Sequence, residues 1–177
     1  MHVVFMRDLP ERKQSPRLGG WNYRAPGRYF VTICSHEKHP IFGAIENDQM
    51  NLNDIGRIVR REWTNIPSFY QKVAIDEFII MPNHLHGIII LKPPAEAPPV
   101  RSRLCRDRPS GAHLSRIIGN FKSYTSRHIN SAFGEPGNSI WQKSYHDRII
   151  RSDDELEKIR SYILHNPSNW SHDPNRH

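Results

Sequence analysis

Apolar positions along the chain follow two periods, one typical of strands and one typical of helices. Short runs rich in β-branched and aromatic residues predict strands at 28–34, 72–81 and 84–91, and a short strand or extended pair at 140–151. A hairpin is predicted where two shorter apolar runs, 41–45 and 50–52, flank a polar tetrapeptide. Helical spacing of apolar residues predicts three helices, at 53–66, 111–130 and 152–166. The order β-β-β-α-β-β-α-β-α predicts an α+β fold in which helices pack on an antiparallel sheet.

Two histidines stand at the start of the most apolar of these strands. His84 and His86 are separated by one residue and are followed by a run of glycine, isoleucine and leucine. Because side chains alternate along a strand, both imidazoles are expected on one face. Two imidazoles on one rigid face make half of a site for a divalent metal ion. The alternative is that the pair is structural or incidental, which is the commoner case for this spacing.

The last predicted helix carries a second polar pair. The sequence Ser-Asp-Asp-Glu at 152–155 is a capping box that predicts the start of this helix, and Pro167 follows its end. Tyr162 and Asn166 are four residues apart, so they share one face at the flank of the apolar stripe. Each has a plain structural interpretation, as a residue at the edge of the core and as a helix C-terminal asparagine.

The two pairs together suggest a sharper hypothesis. If the helix packs over the histidine strand, His84 and His86 hold a metal ion, Asn166 adds an amide oxygen and the Tyr162 hydroxyl attacks a phosphodiester. Two nitrogens and one oxygen suit Mg²⁺ or Mn²⁺ better than a thiolate-rich zinc site.

The charge of the chain indicates a polyanionic partner. The 177 residues carry a formal net charge of +7, and the isoelectric point is about 9.7. Basic residues cluster in the first 28 positions and again between 101 and 130. The candidate DNA contacts are Arg101, Arg103, Arg106, Arg108, Arg116, Lys122, Arg127 and Arg148. The alternative is an ordinary solvated basic surface.

Composition also limits the organisation and the location of the protein. A basic N-terminal arm is predicted at 1–20, one domain at 21–170, a mobile Pro- and Arg-rich loop at 93–110 and a tail at 171–177. The two cysteines form no disulfide framework, which fits a reducing cytoplasm. No apolar stretch approaches the roughly 20 residues needed to cross a bilayer, so no membrane partner is expected.

At this point two motifs match a known pattern. Met-Pro-Asn-His-Leu-His-Gly-Ile-Ile-Ile at 81–90 resembles the HUH motif of single-tyrosine transposases. Ser-Tyr-Ile-Leu-His-Asn-Pro at 161–167, with Trp170 behind it, resembles their catalytic tyrosine helix. The ordered set of motifs is most similar to the branch called REP-associated tyrosine transposases.

The resemblance implies a ferredoxin-like (RRM-like) fold whose C-terminal helix carries the nucleophile. It implies metal ligation by His84, His86 and Asn166, and attack by Tyr162 in Mg²⁺- or Mn²⁺-dependent cleavage and strand transfer. The substrate class is single-stranded DNA, here palindromic or hairpin DNA, and the product is a 5′-phosphotyrosine with a free 3′-hydroxyl. The wider superfamily includes homodimers and the branch includes monomers, so both states stay open.

The sequence leaves three alternatives open for the nucleophile and the function. Tyr145 lies in another family-like segment and competes with Tyr162 for the role of nucleophile. A domesticated or non-catalytic nucleic-acid-binding protein would share the fold and the basic clusters. A metal-dependent phosphoesterase would use water in place of the tyrosine.

Overall fold

The computed structural model of the protein describes residues 25–93 and 113–176. The strands are β1 (Gly27–Cys34), β2 (Gly43–Glu46), β3 (Gln49–Leu52), β4 (Val73–Ile80), β5 (His84–Leu91) and β6 (His146–Ile150). The helices are α1 (Asp54–Thr64), α2 (Ile66–Phe69), α3 (Leu114–Phe133) and α4 (Asp153–His165), and a 3-10 helix follows at Pro167–His172. The predicted order of strands and longer helices is confirmed. The short α2 and two 3-10 helices, at His36–Lys38 and Pro167–His172, were not anticipated. Pro67 lies in the first turn of α2, where the missing N–H costs nothing.

Four strands form one antiparallel sheet in the order β4-β5-β1-β6. With α1 between β1 and β4, and α3 between β5 and β6, this is the ferredoxin-like arrangement, and the predicted α+β fold is confirmed. β2 and β3 form a separate hairpin, as predicted. Its turn residues Asn47 and Asp48 both have positive φ, 50° and 60°, which are backbone angles that these two residue types tolerate.

Both faces of the sheet are covered, which explains why β5 is apolar on both sides. Leu85 and Ile89 pack into the larger core beneath α1 and α3, against residues such as Trp63. Ile88 lies on the opposite face, in a smaller core formed with Ile159 and other residues of α4. His84 and His86 share the parity of Ile88 and therefore belong to the α4 face.

α4 is held at its start and along its length. The Ser152 hydroxyl accepts a hydrogen bond from the Glu155 N–H at 3.1 Å, which confirms the predicted cap. Further along, Arg160 donates to both carboxylate oxygens of Asp76 on β4, at 3.2 and 2.7 Å. Such a bidentate pair fixes orientation as well as distance. α4 therefore packs on the sheet of its own chain.

Two predicted segments lie largely outside the described residues. They are the N-terminal arm at 1–20 and, from residue 94 onward, the Pro- and Arg-rich loop. Within 25–93 and 113–176, no helix combines the length and the apolar character that a membrane span requires.

We expect Gly87→Ala to destabilise the fold, because the Trp63 ring fills the space that a side chain at this position would need. A Cβ atom at Gly87 would lie 2.5 Å from Cζ2 of the Trp63 ring, which is fully buried. Overpacking of this kind costs about 1–3 kcal/mol, measurable as a lower free energy of unfolding in urea.

Gly119→Ala is the matched control. Its Cβ would meet nothing within 4 Å, on an exposed turn of α3. Since alanine is the better helix former, this variant is expected to gain about 0.5–1 kcal/mol. Equal stability of the two variants would contradict the packing argument.

Candidate active site

His84 and His86 lie side by side at the start of β5 and are fully buried beneath α4 and the segment that follows it. Their ring centroids are 4.4 Å apart. Both imidazoles therefore lie on one face of the sheet, as predicted.

Asn83 determines which nitrogen of His84 carries the proton. The Asn83 amide nitrogen donates to the carbonyl oxygens of Lys38 and Asn175, at 3.1 and 2.7 Å, which fixes the orientation of the amide. Its oxygen then lies 2.8 Å from His84 Nδ1 and can only accept. Nδ1 therefore carries a hydrogen. Burial lowers the pKa of His84 to about 3, so the ring is neutral and Nε2 presents a lone pair. This Nε2 is buried without a hydrogen-bond partner.

His86 is held by strand pairing and by aromatic contact. Thr32 is its partner on β1, and the Thr32 hydroxyl lies 2.8 Å from His86 Nδ1. The Phe30 ring stacks on the imidazole at 5.3 Å. The second ring nitrogen, Nε2, lies 3.2 Å from the hydroxyl oxygen of Tyr162.

Tyr162 is thus placed against the histidine pair from α4 of the same chain. Its side chain is buried, and its ring meets Phe30 edge to face at 6.1 Å. Burial raises the pKa of the Tyr162 hydroxyl, and the Asp173 carboxylate raises it further, while a hydrogen bond with Asn166 partly offsets both. The phenol is therefore neutral in this arrangement.

Asp173 completes the cluster, and sequence reasoning missed it. Its carboxylate is buried, with Oδ2 3.8 Å from His84 Nε2 and 3.1 Å from the amide nitrogen of Asn166. It lies in the segment that the sequence suggested was a simple tail beyond residue 170. No periodic pattern marks this position, because a 3-10 helix from Pro167 carries the chain back to the site.

The cluster fits a divalent metal ion. One ligand atom each from His84, His86 and Asp173 lie within 4.8 Å of one another. The His84 Nε2 and the Asn166 Oδ1 are both buried without a hydrogen-bond partner. Buried polar atoms are normally satisfied, so each of these two acceptors can take a further partner, such as a metal ion. Imidazole nitrogens together with carboxylate and amide oxygens are a donor set for a divalent metal ion.

The predicted DNA contacts fall into three groups. Arg101, Arg103, Arg106 and Arg108 lie outside the described residues. Lys122 and Arg148 are engaged within the protein. The Lys122 ammonium donates to the carbonyls of Gln142 and Ser144, and Arg148 pairs with Glu155 at 2.6 Å. Only Arg116 and Arg127 lie exposed on α3.

Tyr145 lies away from the histidine pair. Its hydroxyl hydrogen-bonds with the Ser115 hydroxyl at 3.2 Å, and its ring packs against the larger core, on the face opposite to α4. The competing tyrosine is therefore not in the cluster.

Comparisons with known proteins identify similar chains and a similar fold. Residues 103–166 match the family model described as transposase IS200 like. An uncharacterized protein of Haemophilus influenzae is 38% identical over 169 residues, which is 91% of each chain. Among solved structures, a REP-associated tyrosine transposase bound to a REP hairpin aligns with a TM-score of 0.50 and 16% identity. That alignment covers 82% of this chain and 68% of the other, and it supports the same fold.

The match places residues 103–166 of the chain in the IS200-like transposase family. Family membership was expected from the two motifs, and the matched region includes both Tyr162 and Asn166.

We expect the buried histidines to make the protein less stable as the pH falls below neutrality. Burial lowers the pKa of His84 to about 3, and burial together with His84 lowers the pKa of His86 well below its ordinary value. Below about 6.5, the ordinary pKa of histidine, the unfolded chain binds protons at both sites and the folded chain does not. The free energy of unfolding should therefore fall, by at most about 1.4 kcal/mol per histidine per pH unit.

Urea unfolding at several pH values between about 5 and 7, the range where histidines titrate, measures this slope. His84→Gln combined with His86→Gln should flatten it, whereas His39→Gln, at an exposed position, should not. An unchanged slope in the double variant would contradict the neutral state of the pair.

Proposed function

We propose that the protein cleaves and rejoins single-stranded DNA through a covalent bond to Tyr162. The observation that carries this proposal is the position of the Tyr162 hydroxyl oxygen, 3.2 Å from Nε2 of the buried His86. A nucleophile beside a pair of metal-type ligands is the arrangement that phosphoryl transfer to a side chain requires.

His84, His86 and Asn166 are the residues that would hold a Mg²⁺ or Mn²⁺ ion in this proposal. Two observations support this assignment. The hydrogen on His84 Nδ1 is directed at Asn83, which leaves Nε2 to bind a metal ion, and the buried Asn166 Oδ1 has no hydrogen-bond partner. When bound, the ion would withdraw charge from a phosphodiester and favour the ionised form of a nearby phenol.

The reaction balances without a nucleotide cofactor. The Tyr162 oxygen forms a bond to phosphorus, and the bond from phosphorus to the 3′ oxygen breaks. The phenolic proton is lost and the departing 3′ oxygen gains one, so the products are a 5′-phosphotyrosine and a 3′-hydroxyl. Attack by a 3′-hydroxyl on the phosphotyrosine reverses these changes and transfers the strand.

The protein's part before attack is to hold Tyr162 in place. Its phenol is protonated at neutral pH like any tyrosine, and its raised pKa means that ionisation would need a positive charge beside it. Phe30 contacts the rings of both Tyr162 and His86. This shared packing limits the positions of the nucleophile relative to the imidazole.

A surface on α3 and the end of α2, on the face of the sheet opposite to α4, supports the DNA-binding part of the proposal. Tyr124 stacks nearly parallel on Phe69, with ring centroids 5.9 Å apart, and both side chains are exposed. The Arg127 guanidinium lies 4.7 Å above the Tyr124 ring, and Arg116 lines the adjoining pocket. Exposed aromatic rings beside arginines are suited to stacking unpaired bases and contacting phosphates.

The central test is a covalent adduct assay. The purified chain is incubated with single-stranded DNA containing a hairpin, in the presence of Mn²⁺, and adducts are separated by denaturing electrophoresis. We expect the native protein to form an adduct and Tyr162→Phe to form none, because only the hydroxyl is removed.

Tyr145→Phe is the matched control and should keep the adduct, since its hydroxyl bonds to Ser115 and not to the histidine cluster. Cleavage that persists in Tyr162→Phe would show that water is the nucleophile. DNA binding without cleavage by the native protein on cognate hairpins would favour a binding protein of the same fold.

Salt dependence separates the roles of Arg127 and Tyr124. On single strands each lost phosphate contact lowers the slope of log affinity against log salt by about 0.7. We expect this change for Arg127→Gln. Tyr124→Ala should weaken binding by about 1–3 kcal/mol through lost stacking, with a smaller effect on slope. Fluorescence anisotropy with a single-stranded oligonucleotide measures both.

Arg57→Gln provides the control for net charge, because Arg57 is exposed on α1 and pairs with Asp54. If it reduces the salt slope as much as Arg127→Gln does, the α3 surface is not a specific contact.

A further inference from the structure

We propose that Asp173 is a ligand of the metal ion, supplied by the C-terminal segment after the tyrosine helix. This inference rests on the proposed function for the presence of a divalent cation. It adds a carboxylate to the donors contributed by β5 and α4.

Asp173 is a buried carboxylate without a cationic partner. Its side chain is 2% exposed, and Oδ1 and Oδ2 accept hydrogen bonds from the Asn175 N–H and the Asn166 amide, at 2.6 and 3.1 Å. In the part of the chain that the structure describes, no lysine or arginine forms an ion pair with it. Buried charges are normally paired or bound to metals, because removing an ion from water is costly.

Asp173 and His84 face each other without forming a hydrogen bond. Oδ2 of Asp173 lies 3.8 Å from His84 Nε2, which is beyond hydrogen-bond distance. Asn83 places the His84 hydrogen on the other ring nitrogen. A lone pair and a carboxylate oxygen therefore face each other, and a cation held between them would stabilise this arrangement.

The C-terminal segment is tied to the site at three points, so the carboxylate is positioned and not incidental. Asn83, next to His84, donates to the carbonyl of Asn175 at 2.7 Å. Asn166 donates to Asp173 itself. Trp170 lies against His84, with ring centroids 6.0 Å apart. Residues 166–175 thus wrap around the histidines and return the carboxylate to them.

A carboxylate changes the chemistry of the site. Two neutral imidazoles and an amide bring no negative charge to a divalent ion. Asp173 adds one, and a site of two histidines and one carboxylate suits a divalent ion that keeps open positions for substrate. Asp173 would therefore strengthen the binding of Mn²⁺ and Mg²⁺ while leaving room for a phosphate.

The test measures Mn²⁺ binding directly, on the full chain freed of metal with a chelator. Electron paramagnetic resonance titration of free Mn²⁺ gives the Kd, and the rise in melting temperature with Mn²⁺ gives an independent readout. Asp173→Asn keeps the size of the side chain and its ability to hydrogen-bond, and Asp173→Ala removes both. We expect each variant to bind Mn²⁺ at least about tenfold more weakly, since even outer-shell partners change affinity by about 10- to 100-fold.

Asp154→Asn is the matched control, because it removes the same charge from an exposed position in the first turn of α4. It should bind Mn²⁺ like the native chain. Native-like binding by both Asp173 variants overturns the inference, as does the absence of binding by the native chain. Tighter Mn²⁺ binding or faster adduct formation in Asp173→Ala also overturns it, because the C-terminal segment would then block the site and not contribute a metal ligand.

The result is separable from the proposed function. If the native chain forms the adduct and the Asp173 variants bind Mn²⁺ normally, only the present inference fails. If Mn²⁺ binds through Asp173 but no adduct forms on cognate DNA, the proposed strand transfer is wrong and the assignment of Asp173 as a metal ligand is kept.

Discussion

The antiparallel pairing of β1 with β5 is the constraint on which the whole site depends. Its register places Thr32 opposite His86 and Cys34 opposite His84. A shift of one residue would turn both imidazoles to the α1 and α3 face, into the larger apolar core. The same register aligns Leu85 and Ile89 with that core. The packing of the domain and the position of the histidines are therefore set by one choice of pairing.

The second half of the site depends on how the C-terminal part of the chain crosses the sheet. The Arg160–Asp76 pair fixes α4 on β4, and the Ser152 cap fixes where the helix begins. Together they bring Tyr162 to His86 from the same chain. Continuation of the chain as a 3-10 helix, instead of a free tail, then returns Asp173 to the histidines. The site is thus closed by residues distant in sequence from the strand that carries the histidines.

Sequence predicted the parts of the site that follow from local geometry. Strand parity relates His84 to His86, and one helical turn relates Tyr162 to Asn166. Asp173 has no such relation to its neighbours, because its place depends on tertiary hydrogen bonds made by Asn83 and Asn166. Which basic side chains are exposed was also hard to predict, because exposure depends on tertiary contacts. Nothing local distinguishes Arg127, on the surface, from Lys122, which holds the carbonyls of 142–144.

The cluster is better explained by function than by stability. An unsatisfied buried polar group costs about 1–3 kcal/mol, and the cluster keeps at least two, His84 Nε2 and Asn166 Oδ1. Apolar residues of the same size would fill this part of the core with a smaller loss of folding free energy. The same burial that makes the cluster costly also strengthens any charge interaction inside it. It raises the pKa of Tyr162, and it increases the effect that a cation would have on the phenol. In the proposed function, Tyr162 would therefore stay inactive as a nucleophile until a metal ion binds beside it.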